Sequence, residues 1–280
     1  MARVELLTAG WTEHPGAVAR RGAGWAPVRF PALVALIEHP RGRVLFDTGY
    51  APRVPRLLRR GIDRVYGTLL PVHLDPAQSV LAQLHARGLD AADIDWVVLS
   101  HLHADHVGGL LDFPTARVVA DPGAVAQAQA LCGLGRLRRG VVGGLLPPDL
   151  LRRVVDPATL PAVGSTDDWA PLGPAHDLLG DGELQVLPLP GHAPGHLGLA
   201  VRTHVPAHPE LLLIGDAGWH ARAVSHGELP HPVTRIATED PTGYRATLAQ
   251  LGDLARRRPG LIVLPSHDQA AIDTARGLLA

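Results

Sequence analysis

The sequence predicts an α/β fold in which layered sheets are covered by helices. Three observations lead there. Short apolar runs of strand character alternate with segments whose apolar residues recur at helical spacing. Three of the helical segments open on Asp-Pro, at 75–76, 121–122 and 240–241, a cap residue with proline in the first turn. The chain has 280 residues, 46% of them hydrophobic, enough to bury a large core as a single domain over residues 1–280.

The elements follow in order. Val4 to Thr8 reads as a short first strand, and a Gly- and Arg-containing loop is expected from Gly10 to Val28. Ala32 to Glu38 and Val44 to Phe46 read as two strands joined by a tight turn at Pro40-Arg41-Gly42, the second running into Asp47-Thr48-Gly49. The arginines of Pro52 to Arg64 read as a solvated face, because the chain as a whole is near neutral. Asp75-Pro76 opens a helix with Val80, Leu81 and Leu84 on its apolar face, and Gly88 closes it. Ile94 to Ser100 is a buried strand that runs directly into His101-Leu102-His103-Ala104-Asp105-His106 and then Gly108-Gly109. Ala116 to Ala120 is a strand and Asp121-Pro122 starts the next helix. Cys132, in Leu131-Cys132-Gly133, is expected to be a buried small residue. The irregular, Gly- and Pro-rich stretch at about 133–180 reads as a lid or insertion within the domain; its part from Leu137 to Val163 could also pack on a second copy in a homodimer. Leu184 to Leu189, Leu197 to Val201 and Leu211 to Ile214 are strands. The helix after Asp240-Pro241 places Tyr244, Leu248, Leu251 and Leu254 on one face. Leu261 to Leu264 is the last strand, and a final helix carries Ile272, Ala275 and Leu279.

Composition removes several functions. A formal net charge of −1 gives no support for a nucleic-acid or acidic-membrane partner. No apolar run approaches a membrane span, and the N-terminus, with Glu5 inside it, lacks a signal-peptide core, so a cytoplasmic protein is expected. The single cysteine excludes an internal disulfide and a multi-cysteine zinc site. There is no lysine, which excludes Schiff-base chemistry and a Walker-type phosphate loop, and no serine lies in a Gly-x-Ser-x-Gly elbow.

What remains sits at strand ends. Four of them carry His or Asp beside turn residues: HLHADH, Gly191-His192, Gly215-Asp216 and Ser266-His267. HLHADH alone packs four potential metal ligands into six positions. Imidazole and carboxylate together suit Zn²⁺ and other divalent first-row ions. Strands covered by helices can bring such ends to one edge of a sheet.

With these residues in place the chain resembles the metallo-β-lactamase superfamily, nearest the dinuclear branch that includes N-acyl-homoserine lactonases and glyoxalase II-like thioesterases. The similarity runs from Phe46-Asp47-Thr48-Gly49 to Ser266-His267. It implies a four-layer αββα sandwich with the site along one edge. His101, His103 and His192 match the ligands of a first metal, Asp105, His106 and His267 those of a second, and Asp216 the carboxylate bridging them. His196 and Asp47 match residues that support ligands from behind. Trp219 departs from the pattern: the lactonases carry a tyrosine there, and indole has an N–H donor but no useful acidity. His220, Tyr66 and Tyr244 are the candidates to supply a proton instead.

The physical logic agrees. Seven ligands exceed one tetrahedral ion, and two ions roughly 3.5–4 Å apart can share a hydroxide available near neutral pH. The expected function is therefore a dinuclear metal-dependent hydrolase of a carboxylic ester, foremost a lactone of a small-molecule substrate, with Asp105 or Asp216 passing the proton from the attacking water to the leaving alkoxide. Zinc is the expected metal, with Mn, Fe and Co also suited. The alternatives are phosphotriester, phosphoester or thioester hydrolysis at the same site, or a metal- or ligand-binding module without catalysis.

Overall fold

The structure, a computed structural model, describes residues 1–163, 169–236 and 238–280, and of 235 and 236 the backbone alone. Twelve strands form two sheets. The first holds β1 (Arg3–Pro15), β2 (Pro27–His39), β3 (Gly42–Phe46), β4 (Val72–His73), β5 (Trp96–Val98), β6 (Arg117–Val119) and β7 (Val154–Val155), in the spatial order β4-β1-β2-β3-β5-β6-β7. The second holds β8 (His176–Asp177), β9 (Leu184–Pro188), β10 (Leu197–Arg202), β11 (Glu210–Leu213) and β12 (Leu261–Leu264), in the order β12-β11-β10-β9-β8.

Alternation explains the layers. Along β2, Leu33, Ala35 and Ile37 face inward to Leu199, Val201, Leu211 and Leu213 of the other sheet. Ala32, Val34 and Leu36, between them, face outward to the helical layer that carries Val80, Leu84 and Val125. In the second sheet Leu212 and Ala200 face outward onto Tyr244, Leu248, Leu251 and Leu254 of the helix Pro241–Arg257. Both faces of each sheet are therefore buried, which is why these strands read as continuous apolar runs. The result is helix on sheet on sheet on helix. Asp121, Asp240 and Asp268 each cap a helix by accepting from a backbone N–H two or three residues on, a contact worth about 1 kcal/mol each.

Direction matters for the site. β3, β5, β6 and β7 are parallel neighbours. β11 and β12 are parallel, and β10 is antiparallel to both β9 and β11, so β9, β11 and β12 share one direction. The residues just beyond β3, β5, β9, β11 and β12 thus emerge at the carboxyl ends of their strands, the usual place for ligands in such sheets.

Some elements differ from the sequence expectation. The stretch from Gly10 is not a loop: after a register shift between Thr8 and Trp11, β1 continues to Pro15 and pairs with Pro27–Pro31. The bulge, with Gly10 at φ 81°, breaks the alternation that would have revealed the strand. Asp75-Pro76 opens only a 3₁₀ turn; the helix is Val80–His85, capped by Ser79. Cys132 is exposed, at the N-cap of the helix Gly133–Arg138, where Gly133 and Leu134 beside it are exposed as well. The 133–180 stretch, apart from residues 164–168 outside the description, is more regular than its sequence suggests: it holds two short α-helices and a 3₁₀ turn and supplies the edge strands β7 and β8. No helix among the described residues is long and apolar enough to cross a membrane.

Candidate metal centre

The strand ends meet. Nitrogen or oxygen atoms of His101, His103, His192 and Asp216 lie within 4.8 Å of one another, and so do those of Asp105, His106 and His267. Asp216 reaches both sets. Its Oδ2 is 3.3 Å from His192 Nε2, while its Oδ1 is 3.2 Å from His106 Nε2 and 3.0 Å from His267 Nε2. One carboxylate thus spans two groups of imidazoles, each oxygen facing a different group.

Local backbone geometry puts these side chains there. Gly191, at φ 128°, sits so close to the helix Pro241–Arg257 that a Cβ would lie 2.1 Å from Tyr244 N; this contact fixes where His192 begins. Gly215, at φ 50°, packs on Ser100, where a Cβ would come 2.7 Å from the serine Cβ, and so brings Asp216 against the start of HLHADH. Only glycine fits such approaches at positive φ. Asp47 is the one described non-glycine residue at positive φ, 60°. That left-handed turn, costing of order 1–2 kcal/mol, aims its carboxylate beneath HLHADH.

A supporting layer holds each ring. Asp47 accepts from Ser100 N at 2.7 Å and Ser100 Oγ at 2.8 Å, and lies 2.7 Å from His106 Nδ1. His267 Nδ1 donates to Pro31 O at 2.7 Å, which leaves Nε2 facing inward. His196 Nε2 accepts from Asp216 N at 3.1 Å. Asp47 and His196 therefore act on the site from behind, as the resemblance implies, and neither reaches the centre. Trp219 donates Nε1–H to Asp216 Oδ2 at 2.9 Å and sets its ring edge-on to His192.

The electrostatics divide the rings. Burial pushes the imidazoles of His101 and His192 well below their ordinary range, and burial also lowers His103. Burial takes His196 down to about 3. Burial likewise opposes charge on His106 and His267, but Asp105, Asp47 and Asp216 outweigh it at His106, and Asp216 and Asp105 at His267, so both are raised. Asp216 is buried, which alone would raise it, yet His267, His106 and His192 hold it well below the carboxylate range. Burial raises Asp47 against the pull of His106.

The donor set fits divalent cations. His101 Nε2 is buried without a hydrogen-bond partner among the described residues, while His106 Nε2 and Asp216 Oδ1, 3.2 Å apart, are buried with ionic contacts alone to satisfy them. His103 Nδ1 and His192 Nε2 face each other at 3.2 Å. A buried polar atom left unpaired costs about 1–3 kcal/mol, and imidazoles and carboxylates converging on one point fit positive charge between them. The donors are all N and O, which suits Zn, Mn, Fe or Co.

Above the centre lies a cavity of about 460 Å³. Its floor is His103, Asp105, His192, Asp216 and His267, and its walls are largely apolar, with Val18, Phe30, Leu69, Leu70 and Trp219. Tyr50 and Tyr66 also line it. Of the residues singled out as proton donors, Tyr66 faces this cavity. Tyr244 is buried under Gly191 and His220 binds Arg222 N; neither lines it. Tyr50 carried no signal in the sequence beyond its place three residues after Asp47.

The family profile described as Metallo-beta-lactamase superfamily matches residues 27–267. Among curated relatives, an N-acyl homoserine lactonase AttM of Azorhizobium caulinodans is 34% identical over 253 residues, covering 88% of this chain and 85% of its own. A probable metallo-hydrolase of Mycobacterium tuberculosis is 31% identical over 257 residues, covering 86% of this chain and 77% of its own. Among solved structures, AiiA of B. thuringiensis, crystallised as a mutant with N-decanoyl-L-homoserine at its active site, superposes with a TM-score of 0.73. It has 17% identity and covers 97% of this chain and 95% of its own, a likeness of fold.

Proposed function

The chain belongs to the metallo-beta-lactamase superfamily, and on that premise we propose that it is a dinuclear metal-dependent hydrolase that opens lactones bearing an apolar chain. One observation carries the reading: Asp216 presents one oxygen to His192 and the other to His106 and His267. A carboxylate so shared would serve two cations and would offset their repulsion. In this reading His101, His103 and His192 hold one ion, Asp105, His106 and His267 the other, and zinc is the ion.

When bound, such a pair lowers the pKa of water and polarises a carbonyl. The chain's residues do the rest. His267 is locked by Pro31 O, and His106 by Asp47, so their donor atoms hold position. Asp105 sits on the cavity floor beside His267, its side chain 14% exposed, placed to take the proton of the attacking water and hand it on. Phe30, Leu69, Leu70 and Val18 receive the apolar part of the substrate and exclude water from it. An N-acyl homoserine lactone, named for relatives of this chain, has such a ring and chain.

The test is elemental analysis followed by kcat/KM on lactones, aryl esters, thioesters and phosphotriesters. Two ions per chain with lactones turned over fastest is the expected result. Two ions without turnover of any member would identify a binding module, and a thioester or phosphotriester ahead of every lactone would move the substrate class.

A further inference from the structure

Opening a lactone expels an alkoxide, which needs a proton as its C–O bond breaks. Most protic groups around the cavity are already engaged. Thr12 Oγ1 donates to Pro71 O at 2.9 Å, and Thr234 Oγ1 to His231 O at 2.7 Å. Trp219 Nε1 is used by Asp216 and His267 Nδ1 by Pro31. Arg138 is exposed at the rim, too strong a base to give up its proton. Burial, more than the nearby charge of His267, lowers His14 and favours its neutral ring, a poor acid.

The hydroxyls of Tyr50 and Tyr66 are different. Both side chains are buried, at 1% and 7% exposure, and both line the cavity with Asp105 and Asp216. Neither hydroxyl has a hydrogen-bond partner among the described residues, and neither is sealed away as the Tyr244 hydroxyl is, so both remain open to a ligand in the cavity. Burial first, and then the charge of Asp105, holds both phenols protonated, far above the ordinary tyrosine range. They come from separate elements, Tyr50 from the loop after β3 and Tyr66 from the helix Asp63–Leu69. They are near enough that a charge on Tyr66 would raise Tyr50 further.

We propose that Tyr50 and Tyr66 form the proton-donating wall of the site, one of the two phenols protonating the leaving oxygen. This rests on the lactone-hydrolase reading. As the acyl C–O bond breaks and the bond from water to the acyl carbon forms, the phenol proton passes to the alkoxide. The proton of the attacking water, taken by Asp105, returns to the phenolate. The sum is lactone plus water giving hydroxy acid, with both residues restored. Trp219, whose N–H is committed to Asp216, has no part in the transfer.

The experiment compares Tyr50→Phe, Tyr66→Phe and the double variant, loaded with zinc, on an alkyl lactone and on a nitrophenyl ester. Nitrophenolate leaves without a proton. In the double variant kcat on the lactone is expected to fall by about 10²-fold or more, with the nitrophenyl ester within a few-fold and metal content unchanged. The larger single loss marks the phenol nearer the leaving oxygen. A second readout needs no turnover: the dissociation constant of the ring-opened hydroxy acid, by calorimetry, rises in the double variant because its hydroxyl loses a donor. Wild-type kcat on the lactone, or equal losses on both esters, would overturn the proposal. A wild-type protein that cleaves aryl esters and no lactone would overturn the functional reading instead, and the hydroxy-acid affinities would then decide the phenols' role.

Discussion

The two halves of the metal centre use the same residue types to opposite electrostatic effect. His101, His103 and His192 face one another beside Asp216, with Asp105 also acting on His103, and burial outweighs these carboxylates and lowers all three. His106 and His267 sit among Asp105, Asp216 and, for His106, Asp47, and these charges overcome burial. The first half offers free lone pairs. The second holds protons that a cation has to displace. Metal binding and proton release are therefore linked more tightly in the second half.

The largest way to break the comparison is to remove what the halves share. In the proposed dinuclear reading Asp216→Ala would take a ligand from both, so activity is expected at background and metal content well below two ions per chain, by elemental analysis. His103→Ala strikes the first half alone and should also abolish turnover while sparing part of the metal. A variant of either kind with wild-type rates would end the dinuclear reading.

Acidification should separate the halves without mutation. The raised His106 and His267 hold protons to a pH above the ordinary histidine value of 6.5, whereas the lowered His101, His103 and His192 lose theirs below it. As pH falls through the neutral range, the second ion should leave first and stoichiometry pass from two towards one. Dialysis at stepped pH followed by metal analysis measures this. Simultaneous loss of both ions would show that Asp216 couples the halves too strongly for their separate charges to matter.

Sequence showed most of the centre because its residues lie immediately after strands with clear apolar signatures. HLHADH after Ile94 to Ser100 and Asp216 after Leu211 to Ile214 were placed by the rule that such ends gather at one edge, and the resemblance supplied which of them match ligands. What stayed hidden depended on distance in the chain. Nothing local to Trp219 indicates that its indole is turned to Asp216. Tyr50 and Tyr66 line the same cavity although one lies in the loop after β3 and the other on the helix Asp63–Leu69. The second half of β1 was hidden for a different reason: a bulge at Gly10 shifts the inward face by one residue, and a period-two pattern does not survive that.

Asp47 tests whether the second half owes its charge to the layer behind it. Asp47→Asn keeps an acceptor near His106 Nδ1 and tolerates the left-handed backbone, but removes the charge. His106 should then titrate lower. Loss of the supporting carboxylate should weaken the second ion, or activity, by about 10–100-fold, with the first ion retained. Equal weakening of both ions, in a chelator competition, would mean that Asp47 supports the whole strand end and not one ring.

Trp219→Phe is the mildest probe and acts on the first half. Phenylalanine keeps an aromatic edge towards His192 but cannot donate to Asp216 Oδ2, the oxygen that faces that ring. A hydrogen bond to a charged group is worth about 1.5–3 kcal/mol, but a cation at the same oxygen would replace part of it. The expected loss is therefore at most about tenfold in first-ion affinity, with the second ion unaffected and the lactone-to-aryl-ester ratio unchanged. That last measurement matters most. If the ratio fell in Trp219→Phe as it is expected to fall in Tyr50→Phe/Tyr66→Phe, the indole would belong to the proton path, and its bond to Asp216 would not be its main role.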